Sequence, residues 1–248
     1  MIKKSKNLAW WWFALALVLI FILLQVPAAW LVAKFYKNNQ SLHNIQGSIW
    51  HGQSDWRRGN LQGSLTWQVR PLDIFLMRLG AEVEIYSGRS RVDGVVGYGF
   101  GQRISVRDLN GEITPETLKN FANWQWPTAP IQLKQIQLNF KPQQGFNHVQ
   151  GEMHWAGGPL VYEYAQRPDR MNIPALQVNL LEENSKLRLD ARDQRSQKML
   201  NLVLDAQGML DVQATQRLLM TSASYQGQAA LDSYVLSTRR ALWAGGQP

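Results

Sequence analysis

The sequence of 248 residues predicts a mainly β protein, in which one apolar N-terminal helix precedes a curved antiparallel sheet with one or two short helices. Two observations support this fold class. Residues 8–33 contain no charged side chain, which is typical of a transmembrane helix. Beyond this segment, apolar residues recur at every second position, as in strands with one buried face. We expect a cytoplasmic tail over residues 1–7, a transmembrane anchor over 8–33, a linker over 34–45 and an exported β-rich domain over 46–248.

The apolar segment is long enough to cross a bilayer, because about 20 helical residues span a hydrocarbon core of about 30 Å. Aromatic residues mark both of its ends, as in interfacial belts. Three lysines precede the segment and two follow it, which favours a cytoplasmic N-terminus and an exported remainder. A cleaved signal peptide with its site near Val26, Pro27 and Ala28 is the alternative, and a buried core helix is a third.

Charge and composition exclude several classes of protein. Five of the 26 Lys and Arg residues flank the apolar segment, which leaves 21 basic residues against 18 acidic ones in the rest of the chain. A nucleic-acid site needs clustered basic side chains, so we expect no nucleic-acid partner. The absence of Cys excludes disulfides, zinc–thiolate sites and cysteine nucleophiles.

Alternating apolar and polar residues predict the strands, and a few local signals predict bends and helices. The apolar phase slips at Lys134 and Gln135, which predicts a β-bulge. Five copies of an apolar, polar, Gly, any, apolar pattern predict strand bends, since glycine weakens a regular strand. The segment after Leu231 fits either a helix or a strand. The predicted strands lie over 61–69, 81–85, 131–140, 187–192 and 200–206, the short helices within 114–121 and 213–223, and the repeated glycines at 47, 63, 111, 151 and 208.

Residues 126–130 are rich in proline and are the best candidate boundary between two similar lobes. The alternative is an ordinary loop that contains proline, within a single β-rich domain. The sequence pattern alone does not decide between a lobe boundary and an ordinary loop.

No group of residues predicts catalysis. The four histidines are scattered, no G-x-S-x-G elbow is present, and the glycine-rich stretch over 94–101 lacks the lysine and spacing of a phosphate-binding loop. That stretch fits a bent strand or a glycine-aromatic hairpin. We therefore expect no catalytic, cofactor-binding or metal-binding residues, and no enzyme.

Seven tryptophans lie outside the apolar segment, and they fit either a core or an interaction surface. Trp67 and Trp155 are in phase with apolar neighbours, which favours burial in the core. Tryptophan is also enriched at binding hot spots, so an interaction role stays open.

Three motifs in order after the apolar segment resemble the type II secretion system protein N family of Gram-negative bacteria. The resemblance extends from the apolar segment to about residue 210. The residues that carry it are Gly47, Trp50 and Gly52, then Trp67, Arg70 and Pro71, then Trp155, Gly157 and Gly158.

This resemblance implies a single-pass inner-membrane protein with a periplasmic β-rich domain. It implies an accessory role in the export of folded proteins across the outer membrane, through contacts with the inner-membrane platform, and it transfers no catalytic residue. The glycine-bent strand pattern also resembles AsmA-like proteins, whose sheets form hydrophobic grooves for lipid. The alternative function is therefore a periplasmic lipid-handling module.

The second motif has a physical interpretation. Pro71 cannot donate to a strand ladder and biases Arg70 toward extended geometry, so the pair should end the strand that carries Trp67. Arg70 should then either cover Trp67 by a cation–π contact or pair with a carboxylate. We predict a structural corner here. An exposed strand edge elsewhere could accept a partner strand, although the sequence does not show which strand lies at an edge.

Overall fold

The computed structural model describes residues 5–35, 41–71, 73, 78–99, 101–120, 124–164 and 167–242. Fifteen strands and four helices lie within these residues. The helices are α1 Ser5–Leu24, α2 Ala28–Phe35, α3 Pro115–Leu118 and α4 Gln216–Leu219. The strands are β1 Leu42–Gly47, β2 His51–Arg58, β3 Leu61–Val69, β4 Arg78–Ser87, β5 Ser90–Gly99, β6 Arg103–Ile113, β7 Ile131–Lys141, β8 Gly145–Trp155, β9 Gly158–Tyr164, β10 Arg167–Ile173, β11 Leu176–Glu183, β12 Lys186–Asp193, β13 Lys198–Leu204, β14 Met209–Thr215 and β15 Tyr234–Ala241.

Thirteen of the strands form one antiparallel sheet. Its strand order follows the chain from β1 to β8 and then from β11 to β15, so β8 and β11 are neighbours. Strands β9 and β10 leave this sheet and form a separate two-stranded sheet, with isolated bridges from Val161 to Gln125 and from Met171 to Ser222. The mainly β prediction is therefore confirmed, and the short connections explain why sequential strands are adjacent.

The N-terminal apolar segment contains two helices, where the sequence predicts one over residues 8–33. Helix α1 ends at Leu24 and α2 begins at Ala28, with Pro27 between them. Proline has no N–H for the helical ladder and its ring obstructs the preceding turn, so the single helix is interrupted there. Within the described residues, no helix combines the length and the apolar character that crossing a membrane requires.

The strand predictions hold for the alternating segments. Residues 61–69 form β3 as predicted, and the phase slip at Gln135 coincides with a break in the β7–β8 register. Both short helices are present, as α3 and α4. The ambiguous C-terminal segment forms strand β15. Within the glycine-rich stretch over 94–101, residues 94–99 lie in strand β5, which pairs with β6, and residue 100 lies outside the described residues.

Two expected boundaries change. Strand β1 begins at Leu42 and pairs with β2, so the sheet starts inside the predicted linker 34–45. Strands β6 and β7 pair directly, so residues 126–130 lie in the connection between two neighbouring strands of one sheet and not at a boundary between two sheets.

The repeated glycines do not share one role. Gly111 and Gly151 lie where the strand register shifts, as strand bends should. Gly63 instead pairs regularly with Trp56, and Gly208 lies in the turn before β14. The prediction of five equivalent bends is therefore wrong, because the same local pattern meets different partners in the sheet.

One face of the sheet is apolar, and two buried clusters lie along it. The first cluster consists of Leu133, Ile136 and Leu180, with partly buried neighbours from β5, β6, β8 and β12. The second lies where the β9–β10 hairpin and α4 approach the sheet. Its members are Leu160, Ile173, Leu176, Met199, Ala214 and Leu218.

Candidate functional site: the motif corners

The first motif forms the corner between β1 and β2, called here the hairpin corner (residues 47–52). The Ser48 N–H donates to the His51 carbonyl oxygen at 2.9 Å. The Ser48 hydroxyl oxygen accepts from the backbone N–H groups of Trp50 at 3.2 Å and His51 at 3.3 Å. A serine hydroxyl that bonds nearby backbone in this way stabilises a tight turn.

Trp67, from the second motif, lies against the hairpin corner. Its indole Nε1–H donates to the Ser48 carbonyl oxygen at 3.3 Å, and the side chain is half-buried. A Cβ atom on Gly52 would overlap the Trp67 ring, with the Cη2 atom only 2.9 Å away. Position 52 therefore requires glycine, because the Trp67 ring approaches the backbone closely there. The first two motifs form one packed unit. Trp67 lies outside both buried clusters.

The hairpin corner also contacts the break between the two N-terminal helices. No sequence pattern predicts this contact. The Ile49 N–H donates to the Val26 carbonyl oxygen at 3.1 Å, and Pro27 pairs with Ser48 as an isolated bridge. Ala28, at the start of α2, is only 6% exposed. These contacts fix the position of the helix break relative to the sheet.

Arg70 and Pro71 follow the end of β3 at Val69, as predicted. Arg70 pairs with carboxylate side chains, which is the second of the two alternatives that the sequence leaves open. Its Nε atom lies 4.0 Å from Asp73 Oδ2 and 3.8 Å from Glu82 Oε1. The second motif thus ends the strand and directs a guanidinium toward acidic side chains.

Asp73 is the centre of an arginine cluster, defined by Asp73, Arg70, Arg78 and Arg107. Asp73 is 5% exposed, and its carboxylate lies 3.1 Å from Arg107 Nη2 and 3.6 Å from Arg78 Nε. A buried carboxylate needs such partners, since desolvating an unpaired charge is costly. Sequence reasoning missed Asp73 and Arg107, because the two residues are 34 positions apart in the chain.

The third motif lies five strands further along the sheet order, at the end of β8. Trp155 donates from Nε1 to the Ala129 carbonyl oxygen at 3.0 Å and, partly buried, packs against the second buried cluster. Gly157 has a φ of +69°, and a Cβ there would meet the carbonyl oxygens of Ile173 and Pro174. Gly158 begins β9, so this motif turns the chain out of the large sheet.

Four aromatic side chains form a contiguous group beside the third motif, called here the aromatic cluster (Trp124, Trp126, Trp155 and Tyr162). The ring centroids are 5.3 Å apart for Trp124 and Trp126, and 6.2 Å apart for Trp126 and Trp155. Trp124 also lies 6.0 Å from Tyr162. Tilted ring pairs at these separations are attractive. The cluster packs the loop after α3 against the β9–β10 hairpin.

Asp169 anchors the same hairpin to the segment after α4. Its Oδ2 atom accepts from the hydroxyls of Ser224 at 2.5 Å, Tyr162 at 2.6 Å and Ser222 at 2.9 Å, and Oδ1 accepts from the Arg170 N–H at 2.8 Å. These hydrogen bonds, from Ser224 and then Tyr162 above all, hold the pKa of the Asp169 carboxyl well below its usual range.

Replacing Asp169 with asparagine should lower thermal stability, and the loss should depend on pH. A carboxyl whose folded-state pKa is lowered contributes fully above its unfolded pKa of about 3.9 and loses that contribution as the pH falls further. The melting temperatures of the wild type and Asp169→Asn should therefore differ at neutral pH and converge in acid. Glu163→Gln, an exposed change on the same hairpin, is the control. A difference that is constant with pH would contradict the role of the ionised carboxylate.

The predicted motif residues thus form two separate structural corners. Gly47, Trp50, Gly52, Trp67, Arg70 and Pro71 meet at the N-terminal end of the sheet, and Trp155, Gly157 and Gly158 meet at the β8–β9 junction. Within the described residues, no three His, Asp or Glu side chains are grouped as a metal ion would need.

This architecture defines a class of protein in which two apolar N-terminal helices are fixed to one broad antiparallel sheet. The chain belongs to the type II secretion system (T2SS) protein N family, whose model matches residues 38–236. The match extends beyond residue 210, where the motif resemblance fades, and includes the first residues of β15. Searches of the curated proteins and of the solved structures gave no match. The family places this protein among the accessory components of type II secretion, in association with the cell envelope.

Proposed function

We propose that the protein is an accessory inner-membrane component of the type II secretion system, which supports the export of folded periplasmic proteins across the outer membrane. It acts through protein–protein contacts with other inner-membrane and periplasmic parts of the machinery and catalyses no reaction. The observation that carries this proposal is the family match over residues 38–236.

The shape of the sheet supports a role in contacts. The described sheet of thirteen strands has two edge strands, and an edge with uncovered backbone N–H and C=O groups is a template for pairing with another chain. The hairpin corner and its hydrogen bonds hold the sheet in place relative to the break between the N-terminal helices.

We place residues 1–7 in the cytoplasm, residues 8–33 in the inner membrane as a single pass, and the β-rich part in the periplasm. The uncharged run continues across the break at Pro27. Large apolar side chains of α1 are exposed, among them Trp11 at 76% and Phe21 at 61%. Apolar surface of this extent is unfavourable in water and is removed from it by lipid.

Deleting the gene should abolish or strongly reduce the secretion of a reporter enzyme of the type II pathway, with the enzyme accumulating in the periplasm. Restoring the full chain should restore export, and the restored protein should stay with inner membranes after alkaline extraction. Undiminished secretion in the deletion strain would contradict the proposed function. Release of the protein by alkali would contradict the single-pass anchor alone.

A lipid-handling module with a hydrophobic groove is the second candidate, and a row of apolar side chains favours it. Leu79, Tyr98, Ile104, Phe140 and Phe146 are directly opposite one another across β4 to β8, so they share one face. Leu79 is 57% and Tyr98 52% exposed. The same deletion strain distinguishes the secretion component from the lipid-handling module. Normal secretion together with altered outer-membrane lipid would favour the lipid-handling module.

A further inference from the structure

The two open edges of the large sheet differ in how well they are protected. Strand β1 has six residues, its register with β2 shifts between His43 and Gln46, and Asn44 has a φ of +50°. Helix α2 also packs against β1. Bulges, short length and a covering helix are the devices that protect an edge from pairing. The β1 edge is thus protected.

The outer edge of β15 is less protected, since its register shift with β14 lies at Val235, beside the first residue of the strand. All eight side chains of Tyr234–Ala241 are exposed, and the strand contains no proline. Its register with β14 is continuous from Leu236 to Ala241. Among the described residues, no strand pairs with the outer side of β15.

One hydrogen bond shows which backbone groups of β15 face outward. The Leu242 N–H donates to the Gly208 carbonyl oxygen at 2.9 Å, and hydrogen-bonded pairs alternate along an antiparallel ladder. Residues 236, 238 and 240 therefore direct their N–H and C=O groups to β14. Ser237, Arg239 and Ala241 direct theirs to the open side, as a partner strand would require, and the register shift at Val235 ends this regular alternation.

The charge at this edge favours an acidic partner. Arg239 is held by Asp205 at 3.3 Å and Asp211 at 3.4 Å. Arg240 lies on the other face and forms no ion pair with the described residues. Pairing two copies of β15 would bring four arginines together, while the Asp205 and Asp211 carboxylates of each copy are already paired with its own Arg239. A strand from another protein with an acidic residue near Arg240 would instead supply a carboxylate partner for the Arg240 guanidinium.

We propose that the outer edge of β15 binds an extended, acidic segment of another envelope protein by adding it to the sheet as a further strand. Backbone hydrogen bonds to Ser237, Arg239 and Ala241 give affinity, and Arg240 selects the acidic side chain. This interaction surface rests on the proposed function, since it names where a machinery partner would dock.

The test uses the full chain in living cells, with the photo-crosslinking residue benzoylphenylalanine at Val235. We expect an adduct with another protein, and none when the same residue replaces Gln194 in the exposed β12–β13 turn. Ser237→Pro removes an outward N–H and leaves the β14 side intact, so it should reduce the adduct about tenfold, as for one lost hydrogen bond with an unpaired acceptor. Ser237→Ala keeps the N–H and should leave the adduct unchanged.

Arg240→Glu should also reduce the adduct, and Arg240→Lys should preserve most of it. This pair decides the outcome if Ser237→Pro lowers the amount of folded protein. An adduct only between two copies of the chain, no adduct at Val235, or an adduct unaffected by both Ser237→Pro and Arg240→Glu would overturn the proposal. Any of these results, with secretion still lost on gene deletion, would leave the proposed function standing.

Discussion

Replacing Trp67 with alanine is expected to lower the free energy of unfolding by about 3 kcal/mol, at the lower end of the range for tryptophan because the side chain is half-buried. The ring fills the space over Gly52, and its Nε1–H satisfies the Ser48 carbonyl oxygen at 3.3 Å. Losing it leaves a cavity at the point where the helix break meets the sheet. Urea denaturation followed by circular dichroism would measure the change.

The control for this prediction is Trp67→Phe, which keeps an aromatic ring and removes only the hydrogen-bond donor. Its expected cost is about 1 kcal/mol. Gly52→Ala should reproduce much of the alanine effect from the other side of the contact, since its Cβ displaces the ring. If Trp67→Ala were fully stable and yet abolished secretion, Trp67 would be an interaction residue and the structural role would be wrong.

Replacing Asp73 with asparagine is expected to destabilise the protein by about 2 kcal/mol. The buried carboxylate pairs with Arg107 at 3.1 Å, and breaking a buried ion pair leaves an uncompensated charge. The expected cost is below the usual range for such pairs because Arg70 and Arg78 are more than 40% exposed and solvent screens them.

The matched control is Asp93→Asn, whose side chain is 44% exposed and lies 3.9 Å from Arg91. An exposed pair of this kind contributes roughly 0.5 kcal/mol or less. Thermal and urea denaturation of the two variants should therefore differ clearly. Equal stability of Asp73→Asn and Asp93→Asn would mean that the arginine cluster contributes nothing beyond surface charge.

Much of the sheet could be predicted because period-two alternation is a local signal. The alternation over 61–69 defines β3, and the phase slip at Gln135 marks a bulge, since both depend only on neighbouring residues. The C-terminal segment was ambiguous because its apolar residues fit two periods. Pairing with β14 decided it.

The candidate sites were predictable in part. The motif residues Gly52, Trp67 and Arg70 could be chosen from the sequence, but their partners could not. Trp67 reaches Ser48, and Arg107 reaches Asp73, across strands that are brought together only by sheet order. The same holds for Asp169, whose hydroxyl donors Ser222 and Ser224 lie more than 50 residues away.

The sequence by itself determined the class of fold, the position of the apolar segment and the motifs that identify the family. Those properties depend on composition, periodicity and short spacings, which act along the chain. Only the tertiary structure decided that Pro27 divides the apolar segment, that the first motif holds this break, and that β1 and β15 lie at the two edges of the described sheet. These depend on which distant backbone groups become neighbours, and long-range pairing in a thirteen-stranded sheet decides that.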